Sequence, residues 1–240
     1  MPTALNQKAQ PLANPPFWYS FDAGMVHVVM FDTETDFKNA PDEPGGSQML
    51  GSGPFGRNGQ QIDFLNADLA SVDRRVTPWV IAAGHRPWYT NGDSSSPCGP
   101  CQKAFEDIFY KYGVDVGVFG HIHNLQRFSP IYKNKTDPAG MMNPKAPMYS
   151  KYHRGSDSTR SWLTNVLVAI IGGPGNIEGH SDTTPKTNGN VFAHNADYGF
   201  GSLTFHNRTH LGVNFFSSET LKDLDRSFLY KKHDVAFVRQ

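Results

Sequence analysis

Val118-Phe119-Gly120-His121-Ile122-His123-Asn124 sets two histidines, one residue apart, at the end of an apolar run. The residues leading into it, Val114-Asp115-Val116-Gly117-Val118-Phe119, read as a short buried strand, so Gly120 marks where the backbone leaves the sheet. The histidines then stand at the strand's C-terminal edge, where open α/β sheets place their sites. On a regular strand, side chains at i and i+2 point the same way; on a turn two such histidines can splay toward two neighbouring ions. Taken alone, H-x-H is weak, because histidine is common at polar turns. Upstream, Pro78-Trp79-Val80-Ile81-Ala82-Ala83-Gly84-His85-Arg86-Pro87 repeats the construction: apolar strand, glycine, histidine at the exit. A helical segment over residues 102–112 separates the two, so the strands are expected to be parallel neighbours joined by a crossover. His85, His121 and His123 are then expected to converge on one sheet edge.

The strand ending in His85 and the G-H-x-H at Gly120 to His123 resemble the last two of the five ligand motifs of purple acid phosphatases, within the calcineurin-like metallophosphoesterases. Phe17-Trp18-Tyr19-Ser20-Phe21, Phe31-Asp32-Thr33-Glu34-Thr35-Asp36-Phe37, Gly84-His85-Arg86-Pro87-Trp88-Tyr89 and Gly173-Pro174-Gly175-Asn176-Ile177-Glu178-Gly179 are most similar to the secreted fungal branch. The resemblance covers nearly the whole chain. It implies the α/β class and, within it, the second half of a four-layer α/β/β/α sandwich with a C-terminal antiparallel β meander. It also implies hydrolysis of small phosphate monoesters at acidic pH by Fe(III) paired with a divalent metal (Zn, Fe or Mn). By that resemblance His85 and His121 bind the divalent ion and His123 the ferric ion. Phosphate-ester hydrolysis needs a nucleophilic oxygen and a counter-charge for the leaving alkoxide, and two adjacent ions supply both.

The family's other ligand motifs, D-x-G, G-D-x-x-Y and G-N-H-E, precede the segment matching Phe17 and are not found there. Asp22-Ala23-Gly24 spells the first, but in the wrong place, and Gly92-Asp93 lacks the tyrosine three residues on. Three imidazoles without a bridging carboxylate hold a charged two-metal centre poorly. The resemblance therefore implies the C-terminal portion of an acid phosphatase, inactive alone, with the catalytic general acid unassigned; a non-catalytic remnant is one alternative.

Lys plus Arg equals Asp plus Glu at 22 each in 240 residues, so no global field recruits nucleic acid or an anionic membrane. Any phosphate affinity must come from a local site. The length suffices for one sizeable α/β domain. No run approaches a membrane span, and the N-terminus lacks the basic start and apolar core of a signal peptide. Secretion is expected of the intact parent.

Residues 1–16 read as a frayed start, 17–146 as part of the catalytic domain, and 147–240 as the C-terminal part, with a foreign insert near 150–169. The insert reads equally as a retained intron or a surface loop. Residues 24–32 form a buried strand and 60–72 an amphipathic helix with Ile62, Leu65, Leu69 and Val72 on one face; 39–59 and 129–147 are long loops. Residues 202–207, 210–216 and 226–231 are the meander strands.

Cys98-Gly99-Pro100-Cys101 carries the only cysteines. C-x-x-C opening a helix is also the signature of thioredoxin-like dithiol–disulfide oxidoreductases, the rival reading. Here a polar run separates the motif from the preceding strand, and redox chemistry leaves the three histidines unused. A small loop-closing disulfide is the simpler reading, and with the sequons at Asn134 and Asn207 it points to a secretory route. Arg127 reads as a surface ion-pair residue, His27 as a core histidine, and Glu178 and His180 as rim residues.

Overall fold

The structure, a computed structural model, describes residues 9–42, 53–92, 97–136, 141–142, 148–151, 166–173, 175 and 177–230. The strands are β1 (Tyr19–Ala23), β2 (Val26–Met30), β3 (Trp79–Gly84), β4 (Val116–Phe119), β5 (Leu125–Tyr132), β6 (Lys135–Thr136), β7 (Met141–Met142), β8 (Met148–Lys151), β9 (Val166–Ile171), β10 (Asn190–His194), β11 (Gly199–Phe205), β12 (His210–Ser217) and β13 (Asp223–Tyr230). The helices are α1 (Gln60–Ser71), α2 (Gly99–Cys101) and α3 (Asp107–Tyr112), the last two joined by a π turn over Gln102–Glu106.

The strands form two sheets. The first has the order β1-β2-β3-β4-β9-β5-β10, with β6 on β5; β2, β3, β4 and β9 are parallel and the flanking strands antiparallel. The second is β11-β12-β13-β8-β7. Its β11, β12 and β13 are the expected meander, but β8 joins β13 in parallel, Met148 beside Ser227, a pairing that the local pattern did not announce.

Alternation along the strands puts each face of the first sheet into a different core. Val80 and Ala82 of β3, Val168 and Ile170 of β9, and Phe119 of β4 pack with Phe64, Leu65 and Leu69 of α1 and with Phe105 and Phe109 of the second helical segment. Trp79 and Ile81, Leu167 and Ala169, and Val116 face the other way, against Leu211, Val213, Phe215 and Leu229 of the second sheet. A sheet covered on both faces needs apolar residues at every position, hence the continuous apolar runs. Among the described residues, helix, sheet and sheet make three of the four expected layers.

Polar ties fix the layers. Arg74 Nη1 donates to Asp115 Oδ2 at 2.8 Å, the same oxygen accepts from Val80 N at 2.8 Å, and Arg74 Nη2 donates to the Tyr112 and Gly113 carbonyls. The starts of β3 and β4 are thereby held together. Arg127, expected at the surface, is instead buried between the sheets, donating from Nε and Nη2 to both carboxylate oxygens of Asp225 at 2.6 and 2.9 Å. Bidentate geometry makes the burial tolerable.

The expected loop from 129 is shorter than its composition suggests: β5 runs to Tyr132, burying Phe128 and Ile131, with Pro130 inside a register shift between Phe128 and Ile131. A proline that donates no ladder bond belongs at such an irregularity. Of the stretch near 150–169, Ser150 and Lys151 lie in β8 and Val166–Ala169 in β9; 152–165 fall outside the described residues.

Cys98 and Cys101 are disulfide-bonded and buried at the start of α2. We expect thiol titration of the unreduced, denatured chain to find no free sulfhydryl, and a Cys98→Ser, Cys101→Ser double variant to lose about 2 kcal/mol or less, since the closed loop is short. At Gly172 a Cβ would lie 1.9 Å from the Ile122 carbonyl oxygen. Gly172→Ala must displace the loop after β4, and chemical denaturation should show a loss of about 1–3 kcal/mol.

Candidate metal centre

β3 and β4 are parallel neighbours, with Gly84 beside Phe119, so both chains leave the sheet at the same height. Gly120 N donates to the His85 carbonyl at 3.0 Å, carrying the register one step past the strands. Gly84 makes room: a Cβ there would stand 2.7 Å from the Phe31 ring. After Gly120 the loop tightens through Ile122 N to Gly120 O and Asn124 N to Ile122 O, at 2.7 and 2.8 Å, and His121 takes a φ of 62°. That left-handed residue is what separates the two histidines of the motif.

The His121 ring turns toward His85, its Nδ1 3.2 Å from His85 Nε2 and the ring planes at 78°. The His123 ring instead has Nδ1 3.8 Å from Glu178 Oε2, while its backbone N–H donates to Ser181 Oγ at 2.9 Å. Of the three expected ligands, the fold thus pairs two and sets the third toward the loop after β9. Asn124, buried, anchors that loop by donating to the Ser181 and Asp182 carbonyls and accepting from Gln126 Nε2.

Two residues that the motif reading passed over shape the edge. Arg86 donates from Nη1 to His121 Nε2 at 3.1 Å and from Nε to Glu34 Oε2 at 2.6 Å, and its backbone N–H donates to Thr33 Oγ1. Glu34 follows β2, which runs parallel to β3, so it reaches the same C-terminal edge. That topology was the available signal. It also excludes Asp22, which pairs with His27 near the start of β2, at the opposite edge. Asp93 lies outside the described residues.

Burial pushes His121 down to about 4, helped by the charges of Arg86, His85 and His123. His85 is also lowered by burial, with Glu34 opposing. Both imidazoles are therefore neutral above mildly acidic pH, the form that ligates metal. Two imidazole nitrogens on one tetrahedral ion, each about 2.0–2.1 Å from it, stand about 3.3 Å apart. The 3.2 Å between His121 and His85 suits that edge and equally suits a hydrogen bond. With Nε2 accepting from Arg86, neutral His121 carries its proton on Nδ1 and donates it to His85 Nε2, so the pair would fit one ion only once Arg86 leaves Nε2 and the proton moves there. A fuller set is not formed: among the described residues no three His, Cys, Asp or Glu side chains group closely enough to hold a metal.

The rim residues expected at 178 and 180 are both near this edge by sequence. His180 packs on the Tyr198 ring at 4.2 Å and lines a cavity of about 400 Å³ with Asp197, Ser218 and Glu219. The cysteine pair is closed and buried, its Cys101 Sγ against the Thr33 carbonyl, which gives the dithiol reading no support.

Residues 24–125 match the family model described as calcineurin-like phosphoesterase, and residues 167–226 that of the iron/zinc purple acid phosphatase-like protein C. Acid phosphatase A of Cryphonectria parasitica (strain ATCC 38755 / EP155) is 52% identical over 97% of this chain and 42% of its own length. The acid phosphatase of Aspergillus ficuum is 38% identical over 81% of this chain and 34% of its own. The solved purple acid phosphatase PPD1 of yellow lupin (Lupinus luteus) superposes with a TM-score of 0.66 at 25% identity, over 90% of this chain and 33% of that one. The chain thus spans less than half the length of these relatives. Paired strand-exit histidines, a phosphoesterase core over β2 to β4 and a purple acid phosphatase C-terminal segment from β9 into β13 together mean that the chain belongs to the purple acid phosphatases of the calcineurin-like phosphoesterase family.

Proposed function

We propose that the whole protein hydrolyses small phosphate monoesters in acid using a ferric and divalent metal pair, and that this chain contributes His85 and His121 to the divalent ion and His123 to the ferric ion. The observation that carries this reading is the 3.2 Å approach of His121 Nδ1 to His85 Nε2 at the C-terminal edge of two parallel strands. When bound, such a pair of ions supplies Lewis acidity and a water of lowered pKa. The chain's own groups prepare the edge. Burial keeps the imidazoles neutral, Glu34 fixes Arg86, and Arg86 fixes the plane of the His121 ring. Arg86 also brings a guanidinium to the place where phosphate oxygens would collect, a geometry suited to anion binding. The described residues complete no ion's coordination, so this chain alone is expected to bind metal weakly and to turn over substrate at background rate.

The test is cobalt(II) titration of the purified chain, read by visible absorption, beside His121→Ala and a chromogenic phosphate ester assay at about pH 5. We expect weak cobalt binding lost in His121→Ala, by tenfold or more, and no turnover by either. Cobalt binding that survives His121→Ala would remove the assigned pair, and robust turnover would overturn the incomplete-centre reading.

The secretory origin of the parent rests on the disulfide and two exposed sequons. Asn134 lies in the β5–β6 turn and Asn207 in the β11–β12 turn, where Asn207 Oδ1 accepts from Thr209 N and Thr209 Oγ1. Expressed through a eukaryotic secretory pathway, the protein should lose apparent mass on a gel after endoglycosidase treatment, and Asn207→Gln should remove one glycan.

A further inference from the structure

Far from the candidate edge, near the start of β2, His27 is 7% exposed and engages a carboxylate with each ring nitrogen. Its Nδ1 lies 2.7 Å from Asp22 Oδ1 on β1, and its Nε2 lies 2.8 Å from Asp68 Oδ2 on α1. Asp68 is 2% exposed, and its second oxygen accepts from Ser20 Oγ at 2.5 Å. The seryl hydroxyl is thus given to the carboxylate and not to the imidazole, so this is no nucleophile–base pair.

A neutral imidazole has one N–H and one lone pair. Between two carboxylates it could satisfy only one, leaving a lone pair facing a carboxylate oxygen in a buried place. Only the imidazolium donates to both. We infer that Asp22, His27 and Asp68 form an acid-set fastening of the β1–β2 hairpin to α1, closed while the imidazole carries both protons and loosened when one is lost.

The charges around the ring bear this out. Burial is the largest single influence on His27 and by itself would lower its pKa, yet Asp68 and then Asp22 outweigh it, and the net direction is upward from 6.5. From β1 the facing titratable group is Asp22, from α1 it is Asp68, and β3 places the uncharged Val80 beside His27. A folded-state value above the unfolded one means that the stabilisation is full below the unfolded pKa and is lost as pH rises through the folded one. His27 shares its face of β2 with Val29 and Phe31, which pack on the helices, so the fastening secures the helical layer in the acid range.

Two measurements decide it. Ring ¹⁵N NMR at about pH 7 should show both His27 nitrogens protonated, where an ordinary imidazole is mostly neutral. Urea unfolding at about pH 5.5 and about pH 8.5 should show a wild-type midpoint advantage over His27→Gln that is large in acid and shrinks in base. A neutral-tautomer NMR pattern at about pH 7, or an advantage that does not change with pH, would overturn the inference. Should His27→Gln fail to fold, Asp22→Asn, whose side chain is partly exposed, replaces it; the His27 titration must then move to lower pH, and an unmoved midpoint refutes the fastening.

Discussion

The register that sets Gly84 beside Phe119 governs this molecule. It fixes where two strands end, and every group at the candidate edge is positioned from those ends. Asp115, fully buried, holds the opposite end by accepting from Val80 N and Arg74. A slip of one residue would turn each side chain to the wrong core, so burial of both sheet faces locks the register more firmly than hydrogen bonds alone. The accuracy with which His85 meets His121 is therefore borrowed from packing far from either histidine.

The same two-sided burial decides where polar groups can live. Arg127 and Asp225 join the two sheets only because both donors and both oxygens are matched. Glu106, in the π turn, is buried by accepting from the Tyr89 hydroxyl, Gln102 Nε2 and Lys133 N. These ties connect distant elements without opening the core to water, leaving the strand exits as the place where polar side chains face outward.

Environment sets histidine chemistry in opposite directions within one fold. His121, half-buried beside a guanidinium and another imidazole, is driven down to about 4. His27, buried more deeply, is driven upward because two carboxylates overcome desolvation. One arrangement keeps the ring neutral, its lone pair taken by Arg86, and the other turns the ring into the cation. The Arg86–Glu34 pair contributes to the first through a cation held in place by its own counter-charge.

Much of the fold was legible in the sequence because burial leaves a periodic mark. Continuous apolar runs announced β2, β3 and β4, glycine announced the exits of β3 and β4, and 3.6-residue spacing announced α1, to within a residue or two of where they lie. The parallel pairing of β3 and β4 followed from the helical segment between them. β5 was not announced at all, and its second half was read as loop, since composition shows the donor missing at Pro130 but not the bulge that accommodates it. Of the candidate site, residue types and strand ends were determined by the sequence, including His85 and His121. What only tertiary structure decided was direction and company: the left-handed turn at His121, the reach of Glu34 to Arg86 across 52 positions, and that of Arg127 to Asp225 across 98. Periodicity is a property of neighbours along the chain. A side chain's partner, its charge state and the face it meets depend on which distant segment the packed sheets bring alongside it.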